Sequence, residues 1–399
     1  MKMKSKTSTT PKDWKMTTLG EVGVTITGKT PSKDNPEDWG DFVDFITPTD
    51  IVSDAKYLGS VARNLSKGGA TRFQKMIIPS GSVVVTCIGS DMGKVVINKN
   101  NALTNQQINS IKVNEENDSN YIYYLLKNSS PVLKNIAVGG STMPILNKST
   151  FESLSFLLPP LPEQKAIAAV LSSLDDKIEL LREENKTLET LAQTIFKDWF
   201  VNSNALDKDE LEDLVEFNPR EKVDSQTEYL FFDMKCLSDN SMILSEGIKR
   251  KAVSASNFRE NDVLMAKITP CLENGKTGFV LGLEGEKVAR GSTEFIVIRA
   301  KEKANPYFIY CLARDSNFRD FAIKSMTGTS GRQRVQVELL KQYKIGVTED
   351  IMEKFGNISE PFFNKIKSNS TQIQSLSTLR DSLLPKLMRG EIQVKGVKL

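Results

Sequence analysis

Residues 159–200 read PPLPEQKAIAAVLSSLDDKIELLREENKTLETLAQTIFKDWF. Within this stretch Ile167, Leu171, Leu174, Ile178, Leu181, Asn185, Leu188, Ala192, Ile195 and Trp199 follow one another in alternating steps of four and three. Such steps keep one stripe of a helix apolar, so the spacing predicts a long helix with a coiled-coil seam. The Pro-rich run at 159–162 sets its start, because proline is tolerated in a first helical turn and not further inside. At ~1.5 Å per residue, the 38 residues from Glu163 to Phe200 span ~57 Å.

A second seam lies near the other end of the chain: Phe355, Ser359, Phe362, Ile366, Asn369, Ile373, Leu376, Arg380, Leu383 and Leu387. Ser359 and Arg380 interrupt it. Packed antiparallel, the two helices bring Asn185 opposite Asn369, Ile167 opposite Leu387, Ile178 opposite Leu376 and Trp199 opposite Phe355. A buried Asn pair lowers stability but sets register, since a slip strands both amides among apolar groups. The alternative is two independent asparagines facing solvent.

Outward from the helices, the chain is written twice. Gly81-Ser-Val-Val-Val-Thr-Cys-Ile is answered by Asn261-Asp-Val-Leu-Met-Ala-Lys-Ile at an offset of 180. Gly93-Lys94 is answered by Gly275-Lys276, and Tyr121-Ile-Tyr-Tyr by Tyr307-Phe-Ile-Tyr at 186. Gly139-Gly-Ser is answered by Gly328-Thr-Ser at 189, and the helix triplet Leu188, Leu191, Ile195 by Leu376, Leu379, Leu383 at 188. The preserved order argues for duplication. Each copy opens with short β-like runs, among them 82–88, 95–97 and 108–113, then 262–268 and 294–299, punctuated by Gly, Asn and Pro. Short helices are expected at 119–127 and 305–313. The fold class is therefore α+β: two β-rich globular domains with short helices, joined by two long antiparallel helices in a pseudo-two-fold repeat.

Composition narrows the chemistry. The 399 residues include no histidine, which removes His-based general bases, Ser-His-Asp and Cys-His systems and most transition-metal sites. Cys87, Cys236, Cys271 and Cys311 are scattered without a CxxC pair, so neither a zinc site nor a disulfide framework is expected, and a reducing cytoplasm fits. No apolar run suits a transmembrane span, and the basic, polar start leads into no signal-peptide core. The net charge is +3, with basic excess in two blocks: 18 Lys/Arg against 14 Asp/Glu over 1–162, and 15 against 10 over 259–345. Residues 163–200 reverse this, with 5 against 8. The blocks suit nucleic acid, and ordinary surface charge explains them equally well.

Two motifs point elsewhere and fail on context. Gly23-Val-Thr-Ile-Thr-Gly28-Lys29-Thr30 matches the P-loop expression, which needs a helix to follow. Here Pro31 and Pro36 follow, so no nucleotide site is expected. Asn218-Pro219-Arg220 lacks the aromatic residue of a base-flipping methyltransferase segment and reads as a turn.

Leu158-Pro-Pro-Leu-Pro-Glu-Gln-Lys-Ala-Ile-Ala and Leu191-Ala-Gln-Thr-Ile-Phe-Lys-Asp-Trp-Phe resemble the central conserved region of type I restriction-modification specificity subunits. Leu376-Ser-Thr-Leu-Arg-Asp-Ser-Leu-Leu-Pro-Lys-Leu-Met-Arg-Gly-Glu-Ile resembles their distal conserved region. Leu19-Gly-Glu-Val, Gly28-Lys-Thr-Pro and Phe45-Ile-Thr-Pro-Thr-Asp-Ile resemble the opening of a target recognition domain. Thr348-Glu-Asp-Ile departs from the Pro-Pro-Leu-Pro pattern, which leaves the second helix start open. The resemblance implies a first recognition domain at 1–160, a central helical region at 161–203, a second recognition domain at 204–347 and a distal helical region at 348–399. It implies a subunit without catalysis, each domain reading one half of a bipartite double-stranded DNA site across a helical spacer. Two methyltransferase subunits would dock on the helices, through Leu188, Leu191, Ile195 and Trp199 and through Leu376, Leu379, Leu383 and Leu387. Two restriction subunits would join them. S-adenosylmethionine, ATP and Mg would belong to those partners, and this chain would hold no cofactor or metal. The alternative is a scaffold of the same fold that binds protein only.

Base reading needs side chains that reach base edges, whereas lysines and main-chain amides mostly hold phosphates. The strongest candidate is Gly328-Thr-Ser-Gly-Arg332-Gln333-Arg334, because Arg and Gln form bidentate pairs with guanine and adenine. Its counterpart in the first copy contains Thr142. Lys29, Lys94, Lys267, Lys276 and Arg290 complete the candidate set.

Overall fold

The computed structural model describes residues 13–52, 54–137, 145–202, 208–224, 226–251, 254–283, 285–329 and 331–394. It divides into two compact units, residues 1–179 with 374–399, and residues 180–373. The division cuts across the four expected segments, because each unit keeps part of both long helices as well as a β-rich domain.

In the first unit an antiparallel sheet runs in the order Gly23–Thr27, Ile108–Val113, Val83–Thr86, Val95–Ile97. In the second the order is Val215–Phe217, Phe295–Ala300, Val263–Ala266, Thr277–Phe279. Val83 faces Ile111 on one side and Ile97 on the other, as Val263 faces Ile298 and Phe279. Both central strands are buried on both faces, which suits their continuous apolar runs. Successive side chains of a strand point to opposite faces. Val83 and Val85 therefore enter the core shared with the helices, and Val84 enters a second core with Ile46, Ile78 and Ile108. Val263 and Met265 divide from Leu264 in the same way.

Behind each sheet lies another built on a parallel strand pair, Val43–Ile46 with Ala102–Thr104 and Tyr229–Phe232 with Ala289–Gly291. The strand Arg63–Leu65 flanks the first pair, and Ile248–Arg250 flanks the second. A short antiparallel pair closes each β-rich domain: Lys15–Thr18 with Ser155–Leu158, and Lys208–Glu210 with Lys344–Gly346. A long helix starts within a few residues of each pair.

The central helix runs Leu161–Phe196 and continues as a π-turn over Lys197–Val201. There Phe196 and Phe200 both pack against Phe308 and Phe355, with the rings tilted or edge-on to one another. Its first turn is anchored by buried Gln164, which donates to the Pro159 carbonyl at 3.0 Å and accepts from the Asp118 amide at 2.9 Å. The distal helix runs Glu349–Met388. Thr348 settles the start that the sequence left open: its Oγ1 accepts from the Ile351 amide at 3.3 Å, a side-chain cap in place of the prolines.

Within each unit the two helices lie antiparallel. In the second, Asn369 Nδ2 donates to Asn185 Oδ1 at 2.8 Å and to Glu184 at 2.9 Å, and Trp199 meets the Phe355 ring. In the first, Ile167 and Leu387 share a core. Arg380 is no gap in the seam. It is buried and donates to Asp175 at 2.6 Å, with Asp381 at 2.8 Å on its other side. Ser359 is buried with its hydroxyl unpartnered. The expected helix at 119–127 extends as Ser119–Ala137, and the one at 305–313 appears as Pro306–Arg314, followed by Ser316–Lys324.

Candidate nucleic-acid interface

Each β-rich domain sets two loops side by side. In the second unit, residues 267–269 lie against the segment that ends at Val335. The Val335 amide donates to the Lys267 carbonyl at 3.0 Å, the Thr269 amide to the Gln333 carbonyl at 3.2 Å, and Ile268 bridges Arg334. In the first unit the Leu146 amide donates to the Cys87 carbonyl at 2.9 Å, and Ile88 bridges Ile145. The paired positions are separated by 180 and 189, the same offsets as the repeats. The sequence repeat is therefore also a repeat of loop pairing.

The loop side chains differ. Arg332 is exposed; its amide donates to the Thr329 carbonyl at 2.9 Å, and no hydrogen bond or ion pair engages its guanidinium among the described residues. Arg334 is exposed but held: its Nε and Nη2 donate to the Glu294 carboxylate at 3.0 and 2.7 Å. That fork holds the Glu294 carboxyl below the usual carboxylate range and raises the arginine in turn. Gln333 is half-buried between them. Lys267 sits near enough to Glu294 to help hold its charge. In the first unit Lys94 pairs with Asp91 at 2.7 Å within its own loop. Thr142 and the Gly139-Gly-Ser run lie outside the described residues.

Two candidates turn inward. Lys276 Nζ donates to the Met234 and Leu237 carbonyls at 3.3 and 3.2 Å, which fastens its loop to the turn that follows the strand Tyr229–Phe232. Arg290 is buried and donates from Nε to Asn257 at 3.0 Å. Both side chains are thus engaged within their own domain, Lys276 half-buried and Arg290 buried.

The P-loop match dissolves in the fold. Residues Gly23–Thr27 are themselves an antiparallel strand paired with Ile108–Val113, and no helix opens at Thr30. Gly28 is required for a different reason: a Cβ there would lie 1.8 Å from the Thr104 carbonyl oxygen. Lys29 follows it, exposed.

The expected docking residues also divide. Leu191 and Leu379, equivalent by the repeat, are 43% and 46% exposed. Leu188, Ile195 and Trp199 pack on the second unit's core. Leu383 and Leu387 pack in the first unit's core, and Leu376 is half-buried.

Sequence periodicity passed over the polar anchors between helix and recognition domain. In the first unit Tyr124 donates to Asp175 at 2.6 Å. In the second Tyr310, at an offset of 186, donates to Glu189 at 2.8 Å. The repeated tyrosine was the available signal. Its carboxylate partners lie off the seam and read as solvent-facing. Among the described residues no group of three or more His, Cys, Asp or Glu could hold a metal ion, and no helix is long and apolar enough to cross a membrane.

Residues 11–190 match the family described as the type I restriction modification DNA specificity domain. The chain is 30% identical to the type I restriction enzyme MjaIX specificity subunit of Methanocaldococcus jannaschii, covering 96% of this chain and 95% of that one. It is 35% identical over 176 residues to the HindI specificity subunit of Haemophilus influenzae, covering 42% of this chain and 38% of the relative. Among solved structures, the S subunit of a type I restriction-modification system from M. genitalium aligns with a TM-score of 0.56 at 16% identity, over 97% of this chain and 98% of the other. At that identity the likeness concerns the fold.

Proposed function

Because the chain belongs to the type I restriction-modification specificity subunit family, we propose that each of its recognition domains reads one half of a bipartite, asymmetric site in duplex DNA. The observation that carries this reading is the repeated loop pair with unlike side chains. Residues 87–94 with 145–146 present Asp91 and Lys94, whereas 267–269 with 327–335 present Arg332, Gln333 and Arg334. Two identical readers related by symmetry would select a palindrome, and two unlike readers in one chain select unlike half-sites.

In this reading the paired helices set the length of the unread spacer, with Asn185 and Asn369 keeping their register. Methyltransferase subunits dock on the helical regions, where Leu191 and Leu379 offer matched apolar side chains to solvent. Two methyltransferase and two restriction subunits complete the enzyme. Those partners hold S-adenosylmethionine, ATP and Mg, and this chain supplies recognition without catalysis.

The test is duplex binding by the chain together with its methyltransferase subunits, at increasing salt, on DNA carrying sites mapped by methylome sequencing. Phosphate neutralisation makes log affinity fall with log salt by roughly 0.9 for each phosphate held. A steep slope and methylation of one bipartite sequence are expected. A flat slope, with no sequence preference, would establish the protein-only scaffold instead.

A further inference from the structure

The sheet built on the parallel strands carries, in both units, an arginine laid on an aromatic ring. Arg63 Cζ lies 3.8 Å from the centroid of the Trp39 ring and 5.5 Å from that of Phe45. Arg250 Cζ lies 3.5 Å from the centroid of the Phe231 ring. At such distances the guanidinium carbon sits over the ring face. Both arginines are exposed, and both come from the strand that flanks the parallel pair. No hydrogen bond or ion pair engages the Arg63 side chain among the described residues, and Arg250 has a loose contact with Asp233 at 3.6 Å.

The two stacks are not copies of each other. Arg63 pairs across its ladder with Phe45, whose parallel neighbour is Leu103. Arg250 pairs with Tyr229, two residues before Phe231, the residue that faces Arg290. One platform is Trp and the other is Phe. What the units share is the outcome, an exposed guanidinium held against a ring.

We propose that Arg63 and Arg250 contact DNA, each presenting a pre-oriented guanidinium fork to the half-site its own domain reads. This rests on the DNA-reading function proposed above. Stacking occupies the face of the guanidinium and leaves its N–H edges pointing to solvent. It also restricts a long side chain before binding, so less freedom is lost when a ligand is taken. Two parallel N–H groups fit two acceptors set side by side, which in DNA means guanine O6 and N7 or two oxygens of one phosphate. In the first unit the next rung of the parallel pair, Ile46 with Thr104, is the one that meets Gly28, so Lys29 lies toward the same end of the sheet. Phe42, 55% exposed, lies beside Leu65 and carries Lys67 at 5.5 Å over its ring. Covering an aromatic ring does not require a charge. At Arg63 an apolar side chain would do so without leaving a fork of donors unengaged, and at Arg250 without leaving one held only by the contact with Asp233.

The experiment uses the chain with its methyltransferase subunits and duplexes carrying the mapped site, comparing wild type with R63A, R63K, R250A and R63A/R250A. Each alanine variant is expected to bind about 5- to 150-fold more weakly while its melting temperature stays near wild type. R63K is expected to remain weak, because an ammonium keeps the charge and loses the flat fork. A guanine contact would show as lost discrimination at one position of the corresponding half-site. A phosphate contact would show as an equal loss on all sequences, with a salt slope smaller by ~1. Alanine variants that bind as tightly as a site-specific wild type, or full recovery in R63K, would overturn the inference while leaving the proposed function standing. A wild-type complex that shows no preference for any duplex would remove both.

Discussion

Glu189 is a carboxylate that the helix pattern assigns to solvent and the fold takes inside. It accepts from Tyr310 Oη at 2.8 Å, from the Met242 amide at 3.0 Å and from Ser241 Oγ at 3.3 Å. Burial pushes its carboxyl above the ordinary Glu range, and those donors, with the Arg314 charge, pull it partly back. A carboxyl whose folded value is raised stabilises the fold most below its unfolded titration range, and that contribution is lost as pH rises toward the folded value. E189Q is therefore expected to unfold in urea with a flatter dependence on pH above the ordinary Glu range, and within about 1 kcal/mol of wild type at pH 7. Superimposable pH profiles would contradict this account. Glu294 has the opposite sign, held charged by Arg334. Under the proposed function, E294Q releases the Arg334 fork, so DNA affinity should rise on all sequences and the salt slope should steepen. R332A should instead cost ~1–3 kcal/mol at one base position, read by binding to a series of substituted sites.

Among the elements, the two helices were the most legible, because a three-four repeat of apolar residues persists whatever packs on it. The pairing of Asn185 with Asn369 followed from the same repeat. What the repeat could not convey is that the central helix also packs on a recognition domain in each unit, which widens its buried stripe to include Asp175, Glu189, Phe196 and Phe200. Arg380 reads as a seam defect for that reason, since its partner Asp175 lies 205 residues away in the chain. Removing one member of a buried ion pair leaves the other charged and unpaired. R380M is thus expected to lose about 3–5 kcal/mol by denaturant unfolding. D175L/R380M should recover part of that, and not all, because Tyr124 still loses its acceptor. The Asn pair predicts a different pattern. N185L leaves Asn369 with Glu184 alone, whereas N185L/N369L should melt higher than wild type and lose methylation confined to one spacer length, as read by methylome sequencing.

For the whole molecule, the proposed function makes the recognition domains exchangeable parts. Their closing strand pairs, Lys15–Thr18 with Ser155–Leu158 and Lys208–Glu210 with Lys344–Gly346, bring each domain's two ends together ahead of a helix. A second recognition domain from a relative, grafted between residues 211 and 343, should change one half-site in the methylome and leave the other half and the spacer unaltered. Loss of both halves together would show that the domains do not read independently.

The sequence by itself determined the duplication, the two long helices, their Asn pairing and the family. Periodicity and repetition are properties of the chain order, and they survive without knowledge of any contact. It also placed the five strands it named, among them those at 95–97 and 108–113, to within a residue or two, since Gly, Asn and Pro punctuate them locally, and it passed over the others. Only the tertiary structure decided which charges turn inward. Lys276 and Arg290 look like available cations until the carbonyls of Met234 and Leu237 and the side chain of Asn257 are brought to them. It also decided which leucines keep a solvent-facing surface: Leu191 and Leu379 do, and Leu387 does not. Those outcomes depend on what lies against each face, and the neighbours come from distant parts of the chain that no local pattern encodes.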